Sequence, residues 1–533
     1  MAIKRWSPRQ DLSRQETAII KRLSRVRKFL AFLRRHRHEI IDESFQNELE
    51  DAYRDSGAGK DPVSPGLMAM ATLVQGYLGA SDATMVELTV IDLSVQMVLD
   101  HLGATEPAFS QGAFSDFRGR FIRTDMDRRL LERTVEIARR TKEFDWKKLR
   151  GTLRVAIDSK PLEGAGRVED TLNLLGHAAR KVVGCAAHLL KWTEDKVCRA
   201  AGIPLLLAPS IKTGLDLDWN DAADKAEAIK TLTAQIDSLQ AWLRDHLADE
   251  LERPPLKDHV ETLDQIRSQD LEPDPNGGGV RIREGVAEDR RVSIEDPEMR
   301  HGRKSKTKRF NGYKQHIAAD IDRDLILACS VTPANRPEEE GAPSLQADIE
   351  RQQLEIDELY IDRAYVNSTV VDEVLARKGA VLCKPWRAKN KKLFAKSAFK
   401  LDLRARSITC PAGQTVRFQL GTSAEFDPDL CDHCPLRAQC TTAEIGNGRT
   451  VSIAENEQLQ HRLRKQIATP TGRARLRRRT HIEHRLAHIA RRQGRRARYV
   501  GTRKNTFDLR RAAAIQNIEA WQRRVELPER KVA

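Results

Sequence analysis

Leu153-Arg154-Val155-Ala156-Ile157-Asp158-Ser159-Lys160 is the stretch from which the fold is read. An aliphatic, partly β-branched run that stops at one carboxylate predicts a buried strand ending at Asp158. A carboxylate at such an end can be held rigidly against a cleft, as a metal-dependent site requires. Strand-end aspartates also cap turns, so the rest of the chain has to decide. The same pattern returns in Glu358-Leu359-Tyr360-Ile361-Asp362. Between the two, Gly312 to Ile321 alternates and Leu325 to Thr332 is apolar. Asp322-Arg323-Asp324 forms the tight turn of this hairpin. Helices are expected over Gly341 to Gln353 and Ser368 to Lys378, and a strand over Ala380 to Lys384. Strand with Asp, hairpin, helix, strand with Asp, helix, strand describes an α/β fold with a mixed sheet flanked by helices.

The flanking segments read as helical. Residues 1–45 are basic, with Ile19, Leu23, Val26, Leu30 and Leu33 forming a stripe at helical spacing. Ser64 caps and Pro65 opens a helix that runs from Leu67 to Leu78. Gly79-Ala80-Ser81-Asp82 turns into a second helix to about Leu102, stopped by Gly103. Ser110 caps a third, with Phe114, Phe117 and Phe121 on one face and Arg118, Arg120 and Arg123 nearby; a fourth spans Asp125 to Thr141. Such short helices suit either a helix-turn-helix-like DNA reader or a plain helical bundle. After the Asp158 strand, Leu162 to Leu190 reads as a helix. A long helix over residues 218–251 carries Ile229, Leu232, Ile236, Leu239, Leu243 and Leu247 at near-heptad spacing. It fits a coiled-coil dimer contact or packing within an inserted domain. Pro273 to Gly279 is turn-rich, and the polar sequence on to Lys308 reads as a flexible linker that could order on DNA.

The chain has 533 residues, enough for two to four structural units. Its net charge of +15 favours a polyanionic partner, nucleic acid first. The surplus lies at the two ends, in Lys21 to Arg37 and above all in Arg462 to Arg511. Arginine predominates in the second, which suits bidentate phosphate contacts. No apolar run is long enough to span a bilayer, and Met1 to Arg27 lacks the apolar core of a signal peptide. The expectation is a cytoplasmic, nucleoid-associated protein with no membrane partner.

Two strand-end aspartates can bridge hard divalent cations such as Mg²⁺. Two such ions, about 3.5–4 Å apart, clamp the attacking and leaving oxygens of a phosphodiester. Glu483 stands out as a third carboxylate in Arg477-Arg478-Arg479-Thr480-His481-Ile482-Glu483-His484-Arg485-Leu486, on a helix with Ile482, Leu486 and Ile489 apolar. It reads as a charge-balancing partner or a metal ligand, and the local sequence favours the first. Of eight cysteines, Cys185, Cys198, Cys329 and Cys383 sit in apolar contexts as buried thiols. Cys410, Cys431, Cys434 and Cys440 cluster, and Cys431-Asp432-His433-Cys434 has metal-ligand spacing. Four thiolates would make a closed structural Zn²⁺ site, with His433 able to stand in for one; the other reading is four reduced thiols or a relic site.

Several of these stretches resemble the DDE transposases of bacterial insertion sequences. Ile157-Asp158-Ser159 resembles the family's first Asp motif, and Tyr360-Ile361-Asp362-Arg363-Ala364-Tyr365 its second. Phe310-Asn311-Gly312-Tyr313-Lys314-Gln315-His316 with Val331-Thr332-Pro333-Ala334-Asn335 resembles its hairpin, and Arg479 with Glu483 matches the Arg-x3-Glu part of its last motif. Related families carry Tyr where this chain has Leu476 and Lys where it has Ala490, beside Arg491 and Arg492. The resemblance runs from about residue 60 to 520. It implies an RNase H-like core in which Asp158, Asp362 and Glu483 hold two Mg²⁺ or Mn²⁺ ions, with Glu519 as a substitute for Glu483. DNA contacts are expected from Lys314, Arg118, Arg120, Arg479, Arg485, Arg491 and Arg492, with His481 also placed to position DNA.

The layout implied is an all-α N-terminal DNA-binding domain over 1–145 and the core in 146–192 and 301–395. A helical insert and linker occupies 193–300, a Cys-rich module 396–460, and basic C-terminal helices over 461–533 complete the core. The function implied is metal-dependent cleavage at the element's terminal inverted repeats and strand transfer of the 3′-hydroxyl into target DNA, by a dimer or larger synaptic complex. The alternatives are a catalytically inactive DNA-binding repressor of the same element, or an RNase H-like nuclease without strand transfer.

Overall fold

A computed structural model describes residues 3–23, 26–53, 61–144, 146, 153–215, 217–275, 277, 279–387, 390 and 392–532, with side chains through residue 526. It is a mixed α/β fold, 53% helical. Six strands form the main sheet: β1 (Arg154–Glu163), β2 (Arg300–Arg303), β3 (Arg309–Asp320), β4 (Leu325–Pro333), β5 (Glu358–Tyr360) and β6 (Ala380–Leu382). β3 lies antiparallel to β1 from Val155↔Asp320 to Glu163↔Gly312, and antiparallel to β4 and β2. On the far side of β1, β5 and β6 run parallel to it, in register at Ala156↔Tyr360 and Tyr360↔Leu382. The hairpin and the strands that begin at Arg154 and Glu358 fall where the residue pattern puts them.

Helices bury the sheet. The N-terminal helices Lys28–Ile40, Pro65–Leu78, Gln111–Arg123 and Met126–Arg140 share one core with β1, β3, β5 and the last helix, Thr502–Val532. Phe114, Phe117 and Phe121 point into that core. Asn517 fastens the last helix to β4: its side chain accepts from Ile326 N at 2.8 Å and donates to Ile326 O at 2.8 Å and Thr134 Oγ1 at 2.9 Å. A second core joins Thr171–Leu190, Ala222–His246 and Leu256–Asp270. Ile229, Leu232, Ile236, Leu239, Leu243 and Leu247 are buried there, so the near-heptad stripe packs within an insert. A third, small core of Phe399, Ile408, Phe418, Phe426 and Val451 lies under the Cys-rich stretch.

Five expectations are corrected. β1 does not stop at Asp158 but continues to Glu163, and the following helix starts only at Thr171, capped by Asp170. From Ile157 to Leu162 the strand is paired to β3 alone, and such a half-open edge tolerates Pro161. The basic N-terminal helix is two helices, Arg14–Arg22 and Lys28–Ile40, broken at Arg27 (φ +58°), which leaves Val26 exposed. The second helix also divides, into Asp82–Ile91 and Leu93–Leu99, at Asp92, which caps the latter through Ser94 N and Val95 N. Arg27 and Asp92 form an ion pair, so one contact holds both breaks. The stretch read as a flexible linker is structured. Leu271–Pro273 pairs with Val280–Ile282, β2 joins the sheet, and Val292, Ser293, Asp296 and Met299 are buried, Asp296 accepting from Tyr313 OH. Residues 276 and 278 of that stretch, and 147–152 before β1, lie outside the described residues. Ser64 makes no capping hydrogen bond, although Pro65 opens its helix as expected.

Candidate active site

The parallel pairing of β1 with β5 sets the site. Ala156 and Tyr360 are in register, and Asp158 and Asp362 each lie two residues further on, at equivalent positions of neighbouring strands. Asp158 is half-buried and accepts from Ser159 N at 2.8 Å. Asp362 is exposed, caps the turn Arg363–Tyr365 and accepts from Arg363 N at 2.6 Å. The helix Thr480–Gln493 packs on β1 through Ile482, Leu486 and Ile489, bringing Glu483 alongside. Arg479, just before that helix, joins the two elements: Nη1 lies 3.1 Å from Asp158 Oδ2 and Nη2 3.1 Å from Glu483 Oε1.

The electrostatics are those of crowded acids. Burial pushes the Asp158 carboxyl up to about 6; Arg479 and the Ser159 amide oppose this, while Glu338 and Asp362 add to it. Glu338, on the short turn Glu338–Gly341 after β4, is the acid that sequence reasoning missed. The Glu338-Glu339-Glu340 run beside the hairpin motif was its one visible signal. Behind the site His316, fully buried, contacts Tyr365 OH at 2.6 Å through Nδ1 and Thr332 Oγ1 at 2.9 Å through Nε2. Burial pushes its imidazole down to about 3, so it is neutral and acts as a prop. Lys314, half-buried, donates to Arg336 O; burial lowers its pKa against the pull of Glu338 and Glu340.

The other arginines named from sequence are largely engaged within the protein. Arg118 grips Asp82 through two nitrogens at 2.6 and 2.7 Å, and Arg120 lies over Tyr53 at 3.8 Å. Arg485 pairs with Asp324, and Arg492 with Glu519 at 2.7 Å. Arg491 and His481 are exposed. Glu519 stands with Arg492, apart from the two aspartates. Leu476, at the position where related families carry Tyr, packs on the core.

In the Cys-rich module, Cys410, Cys431, Cys434 and Cys440 line one cavity of about 630 Å³ together with Phe394, His433 and Arg449. Burial, then the other three cysteines, raise the Cys440 thiol against the opposing Arg449 charge. The turn after Cys410 closes through Gly413 (φ +91°) and directs Gln414 N at Cys410 Sγ, 3.3 Å away. Among the described residues no three His, Cys, Asp or Glu side chains stand close enough together to hold a metal ion.

Two stretches match known families. Residues 409–521 match one described as Transposase DDE domain, and residues 21–120 one described as Transposase domain (DUF772). The chain is a DDE transposase of the insertion-sequence type. The first stretch takes in the cysteine module, Arg479, Glu483 and most of the last helix of this transposase; Asp158 and Asp362 lie outside both. Such transposases act on DNA and in general use divalent metal ions. No curated protein and no solved structure matches the transposase. Among the described residues no helix is long and apolar enough to cross a membrane.

Proposed function

We propose that this transposase cuts DNA at the ends of its own element and joins the freed 3′-hydroxyl to target DNA, with Asp158, Asp362 and Glu483 as the metal-binding triad of an RNase H-like core. One observation carries the reading: Asp158 and Asp362 each lie two residues past the in-register pair Ala156 and Tyr360 of neighbouring parallel strands, and Glu483 is tied to Asp158 through Arg479. The order strand–Asp, hairpin, strand–Asp, insert, helix–Glu on one sheet supports the RNase H-like reading. The donor set suits Mg²⁺ or Mn²⁺, because hard cations prefer carboxylate oxygen and like-charged acids at Asp158 need a counter-charge. When bound, two such ions supply positive charge at the attacking and leaving oxygens. Glu338 adds to the negative charge felt at Asp158.

In the first step a water oxygen attacks the phosphorus at the element's end. The bond to the 3′ oxygen breaks, that oxygen takes a proton to become the 3′-hydroxyl, and the phosphate stays on the other strand end. In the second step the 3′-hydroxyl attacks a target phosphodiester in line, and the target's own 3′ oxygen leaves as a hydroxyl. The chain's part is positioning and charge. Arg479 and Lys314 face the acids and the DNA backbone, His316 and Tyr365 brace the strand that carries Asp158, and the exposed Arg491 and His481 offer contacts along the basic helix. The helices of 1–145 read the terminal repeats, 146–192 and 301–395 with 461–533 build the core, and 193–300 and 396–460 are inserts. Synapsis of two ends calls for at least a dimer on DNA, at the nucleoid of the cytoplasm.

The four cysteines line one cavity and the Gln414 amide is aimed at one sulfur; a structural Zn²⁺ would draw the thiolates together there. Metal analysis of protein purified without chelator should give about one zinc per chain; none would count against it.

The test of function is incubation with Mg²⁺ and a duplex bearing the element's end. Nicking followed by joining is expected. Binding without nicking would leave the repressor, and nicking without joining the nuclease.

A further inference from the structure

Arg479 occupies the gap between the carboxylates. Its two terminal nitrogens go to different acids, Nη1 to Asp158 at 3.1 Å and Nη2 to Glu483 at 3.1 Å. A guanidinium held this way does what a bridging cation does: it neutralises two carboxylates and fixes their separation. Arg479 sits at the junction of the helices Pro470–Arg477 and Thr480–Gln493, so its side chain can leave without disturbing a helix interior. Asp362 and Glu338 add acid beside Asp158, and Lys314 faces Glu338. Nearby Arg475 is bound elsewhere, to Glu358 at 3.1 Å.

We infer that Arg479 is a stand-in cation, holding Asp158 and Glu483 together until a divalent ion displaces it and frees its guanidinium for a DNA phosphate. This rests on the metal-centre reading above. Guanidinium and metal ion cannot share the same oxygens without strong repulsion. A phosphate that draws the guanidinium away therefore raises affinity for the metal, and the metal raises affinity for DNA by the same factor. DNA and metal would thus load together, which keeps a nuclease centre closed while no DNA end is present.

The test is calorimetric titration of Mn²⁺ into the full chain, without turnover, for wild type, Arg479→Ala, Arg479→Lys and Asp158→Asn. Arg479→Ala should bind Mn²⁺ at least about tenfold more tightly than wild type. Arg479→Lys should also bind more tightly, because an ammonium keeps the charge but has no fork to span both acids. A short uncleavable duplex end should tighten Mn²⁺ binding to wild type and leave Arg479→Ala unchanged. Mn²⁺ binding by both variants that equals or falls below wild type would overturn the inference. So would tightening in Arg479→Ala alone, which would make Arg479 a nearby charge and no bridge. Failure of the underlying reading looks different: Asp158→Asn would bind Mn²⁺ as wild type does, or none of the four proteins would bind it.

Discussion

Two arginines of this protein are each clamped by carboxylates, and the acids they hold move in opposite directions. Arg34 and Glu16 are sealed in the N-terminal helical layer, 1% and 0% exposed. Arg34 reaches both Glu16 oxygens at 2.5 and 3.1 Å and also donates to Gln10 O and Asp11 O. Burial acts to raise Glu16, but Arg34 and the Ser13 amide prevail and hold it at about 2. Asp158 has an arginine too, yet burial and the nearby acids Glu338 and Asp362 push it up to about 6. The first pair is balanced and saturated, as a structural ion pair must be to survive burial. The second carries more acid than its arginine can neutralise. That surplus fits the added cation proposed for this site.

Breaking the balanced pair should cost most. Arg34→Met leaves Glu16 buried with its charge unpaired, and should lower unfolding free energy by about 3–5 kcal/mol in a denaturant titration. Arg479→Met, at a half-open site rich in acid, should cost less than about 1 kcal/mol. Equal losses would erase the distinction between the two.

Gly341→Ala probes the prop behind the site. A Cβ there would stand 2.6 Å from the His316 ring. Overpacking of this kind should cost about 1–3 kcal/mol in a thermal melt. It should also slow DNA cleavage, because His316 must shift off Tyr365 OH.

pH dependence in the metal-free protein sharpens the comparison further, because the two acids should act with opposite signs. Glu16 is lowered from 4.5, so its contribution is complete above about pH 4.5 and is lost as pH falls towards 2. Asp158 is raised from 3.8, so its ionised form opposes folding above about pH 6, and protonation on the way down to 3.8 relieves it. Asp158→Asn should flatten that second change, about 3 kcal/mol at most, and leave the first untouched. A stability profile that Asp158→Asn does not alter between pH 6 and 3.8 would remove the acid surplus from the account.

Much of the sheet was legible in the residues. Val155 to Asp158, the alternating Gly312 to Ile321 and Leu359 to Asp362 carry their own strand signals, and local pattern suffices where a strand is buried on both faces. What pattern could not supply came from distant partners. The apolar run stops at Asp158, but β3 holds the strand through to Glu163, and Gly312 (φ +148°) passes so close to Leu162 O that a side chain there would collide. The breaks at Arg27 and Asp92 depend on a pair 65 residues apart. The 273–308 stretch looked unstructured because its polar side chains find partners far along the chain, as Asp296 does with Tyr313. At the site, the residue pattern pointed to Asp158 and Asp362, and the family resemblance added Glu483. Neither revealed that Arg479 would lie between two of them or that Glu338 would stand close by, since both depend on how β4 and the Thr480–Gln493 helix approach β1.

The central claim is that Asp158 and Asp362 belong to one DNA-cutting centre. The most direct measurement is Mg²⁺-dependent nicking of a duplex bearing the element's end by Asp158→Asn and Asp362→Asn, with DNA affinity measured on the same preparations. The account predicts that each variant loses nicking by at least about a thousandfold, or about 4 kcal/mol of transition-state stabilisation, while binding the duplex nearly as tightly as wild type. Full nicking by either variant would contradict it.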